Sequence, residues 1–133
     1  IHYVLLTKGF KKIYIFNRTK KTLRFGKKKK YTLSMKNLKN YLFNSDIIIN
    51  TTPINPIKSK QLRLVNKETI LSDIVYKPKN TSFLKAFPDN KKIYGISMLL
   101  EQAIPCFRTW FGFSPPIDSN LIKILEKKIR WQL

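Results

Sequence analysis

The chain has 133 residues, enough for one domain, and 43% of them are hydrophobic, which excludes a disordered tail. A single cysteine, Cys106, excludes an internal disulfide and fits a reducing cytosol. No apolar run reaches the roughly 18 residues of a membrane span, and Ile1 to Leu6 lacks the basic start and cleavage site of a signal peptide. The net charge is +20, with 27 Lys and Arg against 7 Asp and Glu, and taken alone it points to a polyanion. The lysines, however, are spread over the whole chain, and only Lys27 to Lys30 form a tight run. Lys, Asn, Ile, Phe and Tyr are abundant together, as in a gene rich in A and T. The lysines are therefore read as a solvated surface, and nucleic acid is not the expected partner. Without an initiator methionine, the chain is expected to begin inside a longer gene product.

The elements follow in order. Ile1 to Lys8 has helical spacing and stops at Gly9. Lys12 to Phe16 is β-branched and aromatic and reads as a buried strand. Lys20 to Lys30 reads as a ragged helix and then a loop, and Tyr31 to Leu33 as a short strand. Ser34 suits the N-cap of a helix through Leu38, Tyr41 and Leu42. Asp46 to Asn50 is a second buried strand, ended by Thr51-Thr52-Pro53. Glu68 to Val75 contains a third, closed by Tyr76-Lys77-Pro78. Thr81 to Phe87 suits a short helix, and Lys92 to Tyr94 a fourth strand ending at Gly95. Ile96 to Phe111 is a long apolar helix ending at Gly112, with Pro105 as a kink. Asp118 to Leu133 is amphipathic, with Leu121, Ile124, Leu125 and Ile129 on one face. Strands alternating with helices predict a parallel sheet with right-handed crossovers, in the class α/β.

In such sheets ligands sit beyond the carboxyl ends of the strands. After the strand ending at Phe16 come Asn17, Arg18 and Thr19. In dinucleotide folds an acidic residue at this place accepts hydrogen bonds from the ribose 2′-hydroxyl of NAD, and an arginine accommodates the 2′-phosphate of NADP. Asn17 to Thr22 has no acid and does have Arg18, whose guanidinium offers a planar fork of donors to phosphate oxygens. Asn-Arg-Thr also fits a plain polar turn after a strand. The glycine-rich turn that would carry the pyrophosphate is absent, along with the first strand before it.

Four segments, in order, resemble the C-terminal half of the shikimate dehydrogenase family. They are Asn17-Arg18-Thr19; Ile49-Asn50-Thr51-Thr52-Pro53; Asp73-Ile74-Val75-Tyr76-Lys77-Pro78 with Thr81-Ser82-Phe83-Leu84; and Gly95-Ile96-Ser97-Met98-Leu99-Leu100-Glu101-Gln102-Ala103 with Phe107 and Trp110-Phe111-Gly112. The resemblance implies a Rossmann-like doubly wound parallel sheet with C-terminal helices. It lacks its first strand and glycine-rich turn, and residues 1–133 form one NADP-binding domain. It implies that Asn17, Arg18 and Thr19 bind the adenosine 2′-phosphate. It places Ile74 and Gly95 beside the nicotinamide, with Met98 packed near it, and gives contacts with shikimate to Tyr76 and Gln102. Gln102 lies two helical turns after Gly95, and its amide both donates and accepts. Two departures stand out. Ile54-Asn55-Pro56 replaces the usual glycine and methionine, and Pro56 cannot donate a backbone hydrogen bond. Ser97 stands where glycine is frequent.

The implied reaction is reduction of 3-dehydroshikimate to shikimate by NADPH, in the pathway to chorismate and the aromatic amino acids. The resemblance implies that a Lys and Asp pair in an N-terminal substrate domain handles the proton. None of that domain is present, so no catalytic residue is nominated, the isolated chain is expected to be inactive, and no metal ligand is assigned. A cytoplasmic location is expected, and a homodimer is left open for a full-length protein. Three alternatives remain: a quinate/shikimate dehydrogenase using NAD or NADP, a basic nucleic-acid-binding fragment, and a remnant without function. The nucleic-acid alternative requires exposed aromatics interleaved with basic residues, whereas Tyr14, Phe16, Phe107 and Trp110 are expected in the cores. His2 is given no role, and Cys106 is expected to be a small buried hydrophobe.

Overall fold

The computed structural model describes residues 1–19, 21–25 and 28–130. Within them the chain forms two compact units, Ile1–Phe43 and Asn44–Leu133.

The first unit opens with α1 (His2–Thr7), closed by Gly9 in the left-handed region (φ +86). The expected strand over Lys12 to Phe16 shrinks to β1 (Phe16–Asn17), paired in parallel only with β4 (Leu33–Ser34). A strand is buried by neighbours on both sides. Among the described residues β1 has one short neighbour, so Lys11, Lys12 and Tyr14 remain exposed. The stretch read as a ragged helix and loop is instead an antiparallel ribbon. β2 (Thr22–Phe25) faces β3 (Lys28–Tyr31), with Thr22 opposite Tyr31 and Arg24 opposite Lys29. Two short runs separated by Gly-Lys are a hairpin signal, and it outweighs the weak helical pattern. Lys20, Gly26 and Lys27 lie outside the described residues. Ser34 does act as a cap, its Oγ accepting from the backbone N–H of Lys36 at 3.3 Å. The helix it opens, Met35–Asn40, is 3₁₀ rather than α. Leu38 and Leu42 are buried, and the Tyr41 ring packs on Tyr14 and Phe16 at 4.5 and 5.3 Å between centroids.

The second unit is a parallel α/β layer, as the alternation of elements predicts. β5 (Ile47–Asn50), β6 (Ile70–Asp73) and β7 (Lys92–Ile93) pair in that order, all parallel. A 3₁₀ turn (Ser59–Leu64) lies between β5 and β6. Between β6 and β7 lies α2 (Ser82–Lys85), which packs against β6; its Phe83 and Leu84 are buried, as are Leu71, Phe87 and Ile57, and the Phe83 and Phe87 rings lie 5.8 Å apart. At the amino-terminal edge of the sheet, Asn90 Nδ2 reaches the carbonyls of Asn66, Lys67 and Thr69 at 2.8, 3.0 and 2.9 Å. These contacts tie the crossover loops together.

α3 (Gly95–Phe111) follows β7 and ends at Gly112, left-handed at φ +76. α4 (Ser119–Arg130) completes the unit. Leu121 and Leu125 are half-buried as expected, but Ile124 is exposed. No helix of the described residues is long and apolar enough to cross a membrane.

The aromatic side chains depart furthest from expectation. Trp110 is 71% exposed, Tyr14 50% and Phe107 37%, and Phe16 is half-buried. Phe107, Phe111 and Phe113 cluster at the end of α3 with centroids 5.3 to 6.4 Å apart, all of them exposed. The long apolar helix is expected to bury Phe107 and Trp110 in a core, yet only Gly95 and Ile96 of α3 are buried. Cys106 is likewise exposed, not buried, and its Sγ donates to the Gln102 carbonyl.

Candidate functional site

Because β5, β6 and β7 are parallel, their carboxyl ends share one edge. Thr51-Thr52-Pro53, Ile74-Val75-Tyr76 and Tyr94-Gly95 all leave the sheet there. A buried polar network fixes this edge. Asp73, the last residue of β6, is 1% exposed, and Asn50, the last of β5, is 3% exposed. One carboxylate oxygen of Asp73 accepts from Thr81 Oγ1 at 2.6 Å and from Asn50 Nδ2 at 3.2 Å. The other accepts from the backbone N–H of Val75 at 3.0 Å. A buried carboxylate is costly unless donors surround it, and here three donors do so.

Each donor carries a loop with it. Thr81 caps α2 by accepting from the Leu84 N–H at 3.3 Å. Asn50 donates to the carbonyls of Thr52 and Ile54 at 3.0 and 3.2 Å, and its own amide oxygen accepts from the Thr52 N–H at 3.0 Å. Val75 leads directly into Tyr76. The departure at Ile54-Asn55-Pro56 is accommodated in the same way: Asn55 Oδ1 accepts from the Ile57 N–H at 2.9 Å and closes the loop without a glycine. Asn50, Asp73 and Thr81 therefore position the site, and sequence reasoning did not single them out. The available signal was an acid ending an apolar strand, with a threonine eight residues later opening a helix.

Ile74 and Gly95 come together as expected. A Cβ at Gly95 would stand 2.5 Å from the Ile74 carbonyl oxygen and 2.7 Å from that of Val75. Only glycine lets the start of α3 sit this close to the turn after β6. Along α3, Gly95, Met98 and Gln102 recur at helical spacing and share a face. Met98 is 40% exposed, Gln102 is exposed, and Tyr76 is 40% exposed in the segment following β6. The peptide bond Lys77-Pro78 is cis. Lys79 Nζ reaches Glu126 Oε1 at 2.6 Å and lies 5.0 Å from the centre of the Tyr94 ring, which ties the segment after Tyr76 to α4.

A separate shallow cleft is lined by Ile96, Ser97, Leu100, Glu101, Ile117 and Ile122. At about 100° per residue its α3 members fall on the side opposite Gly95, Met98 and Gln102, so it is not the same site. In the first unit Asn17 ends β1, and Arg18 and Thr19 follow it as exposed residues.

The only pKa displacement resolved among the described residues is that of His2. It is lowered by burial first, then by the charges of Lys30 and the amino terminus.

No protein-family model matches the chain. The shikimate dehydrogenase (NADP(+)) of Bartonella quintana is 33% identical to it over 143 aligned positions, covering 95% of this chain and 48% of the relative. Among solved structures, the shikimate 5-dehydrogenase of Listeria monocytogenes in complex with shikimate and NAD matches with a TM-score of 0.59. It is 24% identical, and the match covers 71% of this chain and 36% of that one. The shikimate 5-dehydrogenase of Thermus thermophilus in complex with NADP(H) and shikimate matches with a TM-score of 0.55, also at 24% identity, over 71% of this chain and 37% of that one. At these identities the structural matches establish the Rossmann-like fold, and the two neighbours hold different nucleotides. The chain is thus a homologue of the shikimate dehydrogenases over nearly all of its own length, and it spans about half the length of the curated relatives it matches.

Proposed function

We propose that residues 1–133 serve as the cofactor-binding part of an NADP-dependent shikimate dehydrogenase, which reduces 3-dehydroshikimate to shikimate. The observation that carries the nucleotide choice is Arg18. Its guanidinium is exposed directly after β1, in a unit of 43 residues that contains no Asp or Glu. A carboxylate at this place would repel a 2′-phosphate, whereas a guanidinium receives it through charge-assisted, paired hydrogen bonds.

The residues present suit the dinucleotide. Asn17 and Thr19 add neutral donors on either side of Arg18. Gly95, seated against the Ile74 and Val75 carbonyls, fixes the start of α3, and with Ile74 and Met98 it is assigned to the nicotinamide side of the cofactor. When bound, the dinucleotide supplies the hydride. The chain's own residues orient and bind: the Tyr76 hydroxyl and the Gln102 amide, both exposed, hold a polyol or its carboxylate. The chain spans about half the length of its curated relatives, and the proposal gives it no proton-handling pair, so the chain alone is expected not to turn over shikimate. The reading carries with it a cytoplasmic location.

Isothermal titration of the chain with NADP and with NAD tests the assignment. Tighter binding of NADP is expected, and Arg18→Ala should remove that preference, lowering NADP affinity at least about tenfold while leaving NAD within about twofold, as for loss of one charged hydrogen-bond pair. A preference for NADP that survives Arg18→Ala overturns the assignment.

A further inference from the structure

We propose that the first unit, Ile1–Phe43, carries a binding surface for single-stranded nucleic acid, independent of the dinucleotide reading. The +20 charge is not evenly distributed. Residues 1–43 hold thirteen Lys and Arg and not one Asp or Glu, whereas residues 44–133 hold fourteen Lys and Arg with all seven acids. A solvated surface enriched in lysine by base composition has no reason to lose its acids in one compact unit alone.

The same unit exposes aromatic side chains. Tyr31 lies opposite Thr22, diagonally across the ribbon from Arg24, and is 59% exposed. Tyr3, Phe10 and Tyr14 are exposed in the same unit as Lys11, Lys12 and Lys21. Cations that track a phosphate backbone, interleaved with rings that stack on unpaired bases, are the combination single strands require. A duplex buries its base faces and has no use for the rings, so the single strand is the better fit.

The test measures fluorescence anisotropy of the whole chain with a labelled oligouridylate of about 20 nucleotides, longer than a typical site. Affinity is expected to fall about a hundredfold between about 50 and 200 mM salt, as for release of roughly five counterions. Arg24→Gln and, separately, Lys21→Gln should each lessen the salt slope by about 0.7. Tyr31→Ala should weaken binding at least about fivefold at fixed salt. Circular dichroism of each variant should match the parent. Equal affinity for a duplex of the same length, no effect of Tyr31→Ala, or an equal loss from Lys91→Gln in the second unit would each overturn the proposal, leaving only diffuse attraction to polyanions.

Discussion

Replacing Gly95 by alanine adds one carbon at the most crowded backbone contact of the second unit. The new Cβ would lie 2.5 Å from the Ile74 carbonyl oxygen, 2.7 Å from the Ile74 carbonyl carbon and 2.7 Å from the Val75 carbonyl oxygen. Non-bonded atoms essentially never approach a Cβ closer than 3.0 Å, so the start of α3 and the turn after β6 must separate by at least 0.5 Å. The opposing atoms are all backbone, and that backbone is anchored by the Val75 N–H on the buried Asp73 carboxylate. Neither side yields by a simple rotamer change, which places the strain near the top of the usual overpacking range, about 3 kcal/mol. Alanine's higher helix propensity offsets at most about 1 kcal/mol. The net loss is about 2 kcal/mol, and for a unit of this size it should lower the thermal midpoint by about 8–16 °C. Thermal unfolding followed by circular dichroism measures the shift. Gly95→Ser carries the same Cβ and should lose at least as much. An alanine variant as stable as the parent, or more so, would refute the close approach of α3 to the turn after β6.

Two further outcomes follow from the same structure. Asp73→Asn sets an amide N–H₂ among the donors Thr81 Oγ1, Asn50 Nδ2 and the Val75 N–H, and should cost about 2–3 kcal/mol, with Thr81→Val costing about 1. Hydrogen exchange at Val75 and Leu84 should accelerate in the Asn variant, and unchanged protection would show that the carboxylate does not anchor the edge. His2 is favoured in its neutral form by burial and by neighbouring positive charge. Its contribution to the stability of the first unit is therefore present above the ordinary histidine pKa of about 6.5 and is lost as the pH falls below it. Unfolding followed by pH should show this loss in the parent and not in His2→Gln, and identical pH profiles would remove the role of His2.

Much of the second unit was legible because its elements are locally determined. β5 and β6 open on the aliphatic runs Ile47-Ile48-Ile49 and Ile70-Leu71 and are followed by turn residues, Thr81 caps its own helix, and Gly112 supplies the left-handed stop of α3. The helical reading of Lys20 to Lys30 fails because this mostly basic stretch has only Leu23 and Phe25 as apolar residues, too few to set a period. The ribbon's signal lay in Gly26-Lys27 between two short runs. The Lys12 to Phe16 strand was overextended because β propensity reports suitability for a sheet, not the presence of a neighbour. The aromatics of α3 were assigned to a core because spacing defines a face without saying what covers it. At the candidate site, the residue types flanking the strands drew attention to Arg18, Tyr76 and Gln102. The anchoring by Asn50, Asp73 and Thr81 depends on pairings up to 23 residues apart in the chain, which no local pattern displays.

The assignment of Arg18 is tested most directly with a ligand reduced to the group it is said to recognise. In a titration of the chain with 2′,5′-ADP followed by phosphorus NMR, the 2′-phosphate resonance should shift with the parent protein and should lose that shift with Arg18→Gln, while 5′-AMP is affected equally by both. A 2′-phosphate shift that persists in Arg18→Gln would contradict the account.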